Sequence, residues 1–524
     1  MKILLSIFAI GITMMACSQK PQKENSDTVK KAYEADWESL KNYTAPEWYE
    51  DAKLGFWVHW GVYSVPAFDG DHASEWYGRW MYSQDGQSGK KNRGYKHHLH
   101  HLKTYGDPSE FGYKDFIPMF KAEKFNADEW ADLCVEGGAK FFTMMAAHHD
   151  SFCMWDTKLS KWNSVNMGPK RDLVGEMAKA VRKRGLYYGV SNHTAWNYQF
   201  FEHNHKNGYD AKDTAYQDLY GNPDFEGRKP VASKRDLDRW LERTKELCDM
   251  YQPDLYYFDW GFRRPYFEPG RKAFGAHYYN KGIEWGGKFG APEVVLNYKG
   301  EHYPAGSAVN DIERGRMSNI GDMIWQTDDC VYGGHTWGYV PNVPIKPTNR
   351  IIDELVDIVS KRGVLMLSFA PRADGSFPEE QVKLAKELGA WLKVCGEAIY
   401  STRPWNVFGE GSATNKKLNY NGQATEHNIN GVGYCSEDIR FTRNKANTVL
   451  YAISLDWPGD KMVITSLASS DLKDLQSVEL IGNEKALTWK QTEKGLEIAL
   501  PEKPSYTHAY PLRLTFKNQI PNGK

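Results

Sequence analysis

The sequence predicts an α/β chain, a (β/α)8 TIM-like barrel followed by a C-terminal antiparallel β-sandwich. Three observations carry that expectation. About eight short apolar runs between residues 54 and 369 read as buried strands. Most are followed by helical periodicity or long loops, and alternating β and α signals imply a parallel sheet. Eight such units over roughly 350 residues suit a closed barrel better than an open sheet. From about residue 406 the character changes to short alternating runs separated by turn residues, the pattern of a sandwich. The resulting division is 1–29 leader and tether, 30–404 barrel and 405–524 sandwich.

The leader is an address rather than structure. Lys2 precedes an apolar run, 3–15, too short to span a bilayer comfortably. It ends in Ala16-Cys17, followed by polar Ser18-Gln19-Lys20, which resembles a bacterial lipoprotein cleavage site. Cys17 would then be the lipidated first residue of an exported cell-envelope or periplasmic protein, with membrane contact through that lipid alone. The alternative is an ordinary cleaved secretory signal.

Along the body, 54–60 looks like a strand and 126–138 like a helix that opens on Asn126-Ala-Asp-Glu. Then come strand 139–147, helix 172–185, strand 186–190, helix 236–251 and strand 254–260. Three further strand candidates follow at 294–297, 308–311 and 324–327. Helix 349–362, strand 364–369 and helix 378–394 complete the series. No Gly-rich phosphate fingerprint follows the first strand. In the sandwich the strand candidates are 448–454, 461–465, 478–480, 496–500 and 512–516.

Composition excludes some functions. Lys and Arg number 66 against 67 Asp and Glu, so no concentrated basic character favours nucleic acid. The 19 Trp and 31 Tyr suit sugar faces but also fill ordinary cores. Cysteines 134, 153, 248, 330, 395 and 435 show no CxxC or zinc-like spacing and read mainly as buried free thiols.

Polar groups cluster where a barrel mouth would put them. Asp259 closes the run Asp254-Leu-Tyr-Tyr-Phe-Asp259, and a carboxylate opening from a buried strand is costly to desolvate unless it is used. His59 and Trp60 end the first strand, and Glu75-Trp76-Tyr77 lies in the loop after it. His148-His149-Asp150 ends the second, His193 follows the third and Lys299 the fifth. Asp311 and Glu313 end the sixth, and Trp325 lies on the seventh. Any one of these has a bland reading as a cap or a satisfied core residue; six successive strand ends argue for one site. Two carboxylates among histidines and tryptophans suit retaining glycoside hydrolysis, with one ionised nucleophile and one acid of raised pKa. A metal site at His148-His149-Asp150 is the rival, but adjacent side chains on a strand point to opposite faces and make poor joint ligands. No metal or other cofactor is expected.

Several stretches carry a family resemblance. They are Pro46-Glu-Trp-Tyr-Glu-Asp-Ala-Lys-Leu-Gly-Phe-Trp-Val-His-Trp60, Glu75-Trp76-Tyr77, His148-His149-Asp150-Ser-Phe-Cys-Met-Trp155, Trp162-Asn-Ser-Val-Asn-Met-Gly-Pro-Lys-Arg-Asp172, Pro371-Arg-Ala-Asp-Gly-Ser-Phe-Pro-Glu-Glu380 and Gly396-Glu-Ala-Ile-Tyr400. In this order they resemble glycoside hydrolase family 29, the α-L-fucosidases. The resemblance implies retaining release of terminal α-L-fucose from a fucosylated oligosaccharide or glycoconjugate, without cofactor. It places Asp259 at the nucleophile position and His59, Glu75, Trp76, His148 and His149 at sugar-binding positions. Trp337 looks like another pocket residue, and Trp60, His193 and Lys299 join the substrate-binding set from their strand ends. Glu313 is the expected acid/base and Glu301 the runner-up. Gly189-Val-Ser-Asn-His193 and Asn297-Tyr-Lys299 depart from the motifs of a common branch, which has Asn-Asp-Arg on the fifth strand. The alternatives are the same mechanism on a galactose-like or sulfated sugar, or a non-catalytic glycan-binding relative.

Overall fold

Eight strands, every one buried along most of its length, close on themselves in chain order. They are β1 (Leu54–Val58), β2 (Phe141–Ala147), β3 (Tyr187–Asn192), β4 (Leu255–Phe258), β5 (Val295–Lys299), β6 (Val309–Asp311), β7 (Trp325–Cys330) and β8 (Gly363–Phe369). In this computed structural model each pairs in parallel with the next, and β8 pairs with β1. The structure describes residues 33–69, 73–84, 93–227, 229–286, 291–415, 423–425, 434–468, 470–483 and 485–524. Cys17 and the whole leader lie outside them. Runs such as Phe141–Ala147, buried at all seven positions, are what a strand covered by helices on its outer face requires.

All eight expected strands are barrel strands. The five expected helices are α1 (Ala127–Glu136), α2 (Leu173–Lys183), α3 (Lys234–Tyr251), α5 (Thr348–Ser360) and α6 (Glu379–Cys395). The Asn126 side chain caps α1 by accepting from the amides of Asp128 and Glu129. Ser233 and Asp236 form a reciprocal capping box on α3. Between α3 and α5 the sequence reading missed α4 (Glu268–Glu284), which crosses from β4 to β5. Its prolines and glycines read as loop signals. In the structure Pro269 occupies the first turn, where a missing N–H costs nothing. Gly282 lies where a Cβ would stand 2.7 Å from the Val294 side chain. The β5–β6 and β6–β7 connections contain no helix, so the barrel departs there from the ideal repeat.

The C-terminal part is a sandwich. One sheet has five strands in the order β9 (Arg403–Glu410), β10 (Ile439–Arg443), β11 (Val449–Ser454), β16 (Tyr510–Phe516), β13 (Leu475–Leu480). The other has β12 (Lys461–Ile464), β15 (Gly495–Ala499) and β14 (Trp489–Thr492), and all pairings are antiparallel. Phe441, Leu450, Leu480, Leu512, Met462 and Ile498 belong to the core between them. Strands β9, β10 and β14 had no counterpart in the sequence reading.

A buried charge cluster joins the two domains. Asp357 on α5 receives Arg440 from β10 at 2.6 Å, Lys361 at 2.7 Å and Arg316 at 3.4 Å. Arg316 itself lies on the strand Gly315–Met317, which pairs with Gln423–Thr425 from the C-terminal part. Five of the six cysteines beyond the leader are buried free thiols, and Cys435 is exposed. Among the described residues no helix is long and apolar enough to cross a membrane.

Candidate active site

Strand alternation builds the mouth of the barrel. Residues two apart share a face, so one residue inside the barrel is followed by another nearer the rim. Trp57 precedes His59, Ser191 precedes His193, Tyr257 precedes Asp259, Asn297 precedes Lys299 and Gln326 precedes Asp328. The upper members converge on a cavity of about 370 Å³ lined by His59, His148, His193, Asp259, Lys299 and Asp328 among others. It lies at the C-terminal ends of the strands, where barrel active sites sit.

Lys299 is the hub of this cavity. Its Nζ lies 2.9 Å from Asp259, 3.0 Å from Glu313 and 3.1 Å from Asp328. Burial alone would lower its pKa, but Asp259, Asp328 and Glu313 outweigh that and hold it well above the ordinary lysine value. A planar guanidinium presents its donors as a fixed fork, whereas an ammonium can serve three carboxylates around one point.

Asp259 is 7% exposed. Burial pushes its pKa up, yet Lys299, His193 and a hydrogen bond from His149 bring it well below the usual carboxylate range. His149 Nε2 and His193 Nδ1 each stand 3.4 Å from its Oδ2. His149 is held from behind, with Nδ1 2.7 Å from the His193 carbonyl, and His193 Nε2 lies 2.7 Å from the Ser191 hydroxyl. Burial lowers the pKa of His59, His148 and His193, the last to about 3, so these rings are neutral near pH 7.

Glu313 sits across Lys299 from Asp259, with its side chain 41% exposed toward the mouth. Burial of its inner part raises its pKa; Lys299 opposes the rise and Asp328 and Asp259 reinforce it. The two carboxylates thus have opposite shifts, the division of labour that an acid and a nucleophile need. With Nζ 2.9 and 3.0 Å from one oxygen of each, the two carboxylates flank a single ammonium, an arrangement that suits the closer spacing of a retaining pair. Glu301, the alternative acid, is exposed and lines the adjoining groove instead.

Glu75 is buried and accepts the amide N–H groups of Trp337 and Gly338 at 3.1 and 3.2 Å. It therefore pins the Trp337 loop over the cavity. Burial raises its pKa and these amides counter the rise. Trp337 packs on His59 with ring centroids 4.8 Å apart, and Trp76 stacks on Trp260 at 5.7 Å.

Several residues expected at the mouth are elsewhere, among them Asp311, which is buried and accepts from the Gln326 side-chain amide. Trp60 is fully buried against Phe120, Phe125 and Trp130, and its indole N–H donates to the Arg372 carbonyl. The alternation that turns His59 inward turns Trp60 out toward the helices. Trp325 opens β7 at the far end of the barrel, where its indole N–H donates to the Lys361 carbonyl. The expectation that His148 and His149 diverge also fails. Both follow the last residue of β2, beyond strict alternation, and their rings lie 4.6 Å apart. With His193 they form a cluster whose nitrogens lie within 4.8 Å of one another. Two of those nitrogens face Asp259, so the cluster serves the carboxylate. Asp150 turns away and accepts from the Tyr113 hydroxyl at 2.6 Å.

The sequence reading did not single out Trp57, Trp260, Asp328 or His335, which also line the cavity. For Asp328 a signal existed, two aspartates inside an otherwise strand-like run. Trp260 stands next to Asp259 itself.

A strand-end aspartate facing a glutamate across one ammonium, in a cavity walled by tryptophans and neutral imidazoles, defines a glycoside hydrolase site. The comparisons with known proteins agree. The α-L-fucosidase family model matches residues 20–397, and that of the α-L-fucosidase C-terminal domain matches 433–517. Tissue α-L-fucosidase of Rattus norvegicus is 32% identical over 500 residues, covering 93% of each chain. That of Bos taurus is 32% identical over 485 residues, covering 90% of this chain and 88% of its own. The crystal structure of Thermotoga maritima α-fucosidase superposes with a TM-score of 0.70 at 29% identity, covering 92% of this chain and 100% of the other. The chain belongs to the α-L-fucosidases, glycoside hydrolase family 29.

Proposed function

We propose that this protein is a retaining exo-enzyme that removes terminal α-L-fucose from fucosylated oligosaccharides or glycoconjugates by double displacement. The observation that carries the reading is the single Lys299 ammonium touching both Asp259 and Glu313. Asp259, kept ionised by Lys299 and two imidazoles, attacks the anomeric carbon. Glu313, raised in pKa, protonates the departing glycosidic oxygen. After the aglycone leaves, ionised Glu313 takes a proton from water, which opens the glycosyl ester at Asp259. His59 and His148 supply neutral donors and acceptors for sugar hydroxyls, while His193 is committed to Asp259 and Ser191. Trp57, Trp76 and Trp337 cover the apolar side of the ring.

Lys299 is the main departure from the arginine of the common branch. It stays a monodentate charge during turnover and passes between the two carboxylates as the first becomes esterified. The leader motif around Cys17 supports export and envelope attachment as part of the same proposal.

Replacing Asp259 by Gly tests the reading. We expect turnover of an aryl α-L-fucoside to fall by ~10³-fold or more, about 4 kcal/mol of barrier. Azide then restores part of the rate by attacking the vacated face. Near-wild-type turnover in Asp259→Gly would end the proposal.

A further inference from the structure

A second groove opens directly off the catalytic cavity. It has a volume of about 630 Å³, and its walls include Trp196, Trp260, Arg263, Arg264, Glu301 and His302. Trp260 and Lys299 line both spaces. The groove therefore begins where the bond to the departing sugar would be broken.

Its chemistry differs from that of the cavity. In the cavity Lys299 is neutralised by the carboxylates around it. In the groove, no carboxylate lies within ion-pairing distance of Arg263 or Arg264 among the described residues, and the one acidic neighbour on the wall, Glu301, is exposed. The Tyr198 hydroxyl, close to Arg264, lies 2.8 Å from the Tyr266 hydroxyl. His302 is 3% exposed and its Nδ1 has no protein partner. Trp260, 36% exposed, offers a broad face at the junction. Gly261, at φ +117°, turns the chain so that Asp259 points into the cavity while Arg263 and Arg264 line the groove.

We infer that this groove is a leaving-group subsite for an anionic sugar, one bearing a sulfate ester or a carboxylate next to the terminal fucose. A pyranose stacked on Trp260 would carry its anion toward Arg263 and Arg264, whose planar forks match both anions. The inference deepens the fucosidase reading and rests on it.

The test compares kcat/KM of the full chain on three fucosyl disaccharides whose second sugar carries a sulfate, a carboxylate or neither. An aryl fucoside, with no second sugar, is the reference for the hydrolytic centre. At low salt we expect one of the anionic substrates to exceed the neutral one by on the order of tenfold, the scale of one charge-assisted hydrogen bond. Arg263→Ala and Arg264→Ala should each remove most of that ratio, and 1 M salt should compress it in the wild type. Which anion wins identifies the ligand. Equal rates on all three disaccharides, or a preference that survives both substitutions, would overturn the subsite. Failure on the aryl fucoside as well would instead strike the fucosidase reading beneath it.

Discussion

At the scale of single residues, Asp259 and Glu313 are distinguished by surroundings rather than chemistry. Both touch Lys299, but Asp259 also faces two imidazoles, whereas Glu313 faces two other carboxylates and the open mouth. Activity requires Asp259 ionised and Glu313 protonated. The acid limb of kcat/KM should therefore lie below the ordinary carboxylate range of about 4, where Asp259 finally takes up a proton. Activity then extends above that range and falls as Glu313 loses its proton at its raised pKa. Glu313→Gln should flatten the alkaline limb and slow fucosides with poor leaving groups ~10²-fold or more, while those with good leaving groups lose far less. Equal losses on both would point to Glu301. Asp259 was legible in the sequence because a carboxylate at the end of four buried residues is costly. Trp60 was misjudged because adjacency to His59 says nothing about facing. The partners of Lys299 on other strands could not be read at all, since they depend on register.

At the scale of elements, the loop after β4 does the positioning. Gly261 adopts φ +117°, and a Cβ there would stand 2.9 Å from Trp196. Gly261→Ala should cost ~1–3 kcal/mol in backbone strain. It should also lower kcat by displacing Trp260 and Asp259 while the other strand ends keep their geometry. Thermal unfolding together with kcat would show it, and unchanged values of both would refute the account of this loop. The strands were legible because each is a short apolar run bounded by turn residues. Helix α4 was not, because its prolines and glycines are loop signals unless their neighbours are known. Residues 423–425 reach the Gly315–Met317 strand just beyond Glu313, a contact between segments a hundred residues apart that no local pattern announces.

At the scale of the molecule, the sandwich is fastened to the barrel by charge as well as by apolar packing. Asp357 is 1% exposed; burial would raise its pKa, but Lys361, Arg440 and Arg316 hold it far below the usual range. A depressed carboxylate contributes stability that is fully present above its unfolded value of about 4 and is lost as pH falls toward the folded value. Asp357→Ala leaves buried cations uncompensated and should cost ~3–5 kcal/mol near pH 7, measured by chemical denaturation, with a smaller loss in strong acid. A variant as stable as the parent would show that the junction does not rely on this cluster. The shift to short alternating runs beyond residue 406 was visible in composition, while the first strand of the C-terminal sheet begins at Arg403. The fastening was not, because Asp357 and Arg440 each look like an ordinary charge on a helix or strand until the two domains meet.

The central claim is a covalent fucosyl ester on Asp259. Incubation with a 2-deoxy-2-fluoro-α-L-fucosyl donor bearing a good leaving group, followed by peptide mass spectrometry, tests it most directly. The account predicts one added fluorofucosyl mass on the peptide containing Asp259 and inactivation in step with labelling. Label on any other residue, or turnover without label and with inversion at the anomeric carbon, would contradict it.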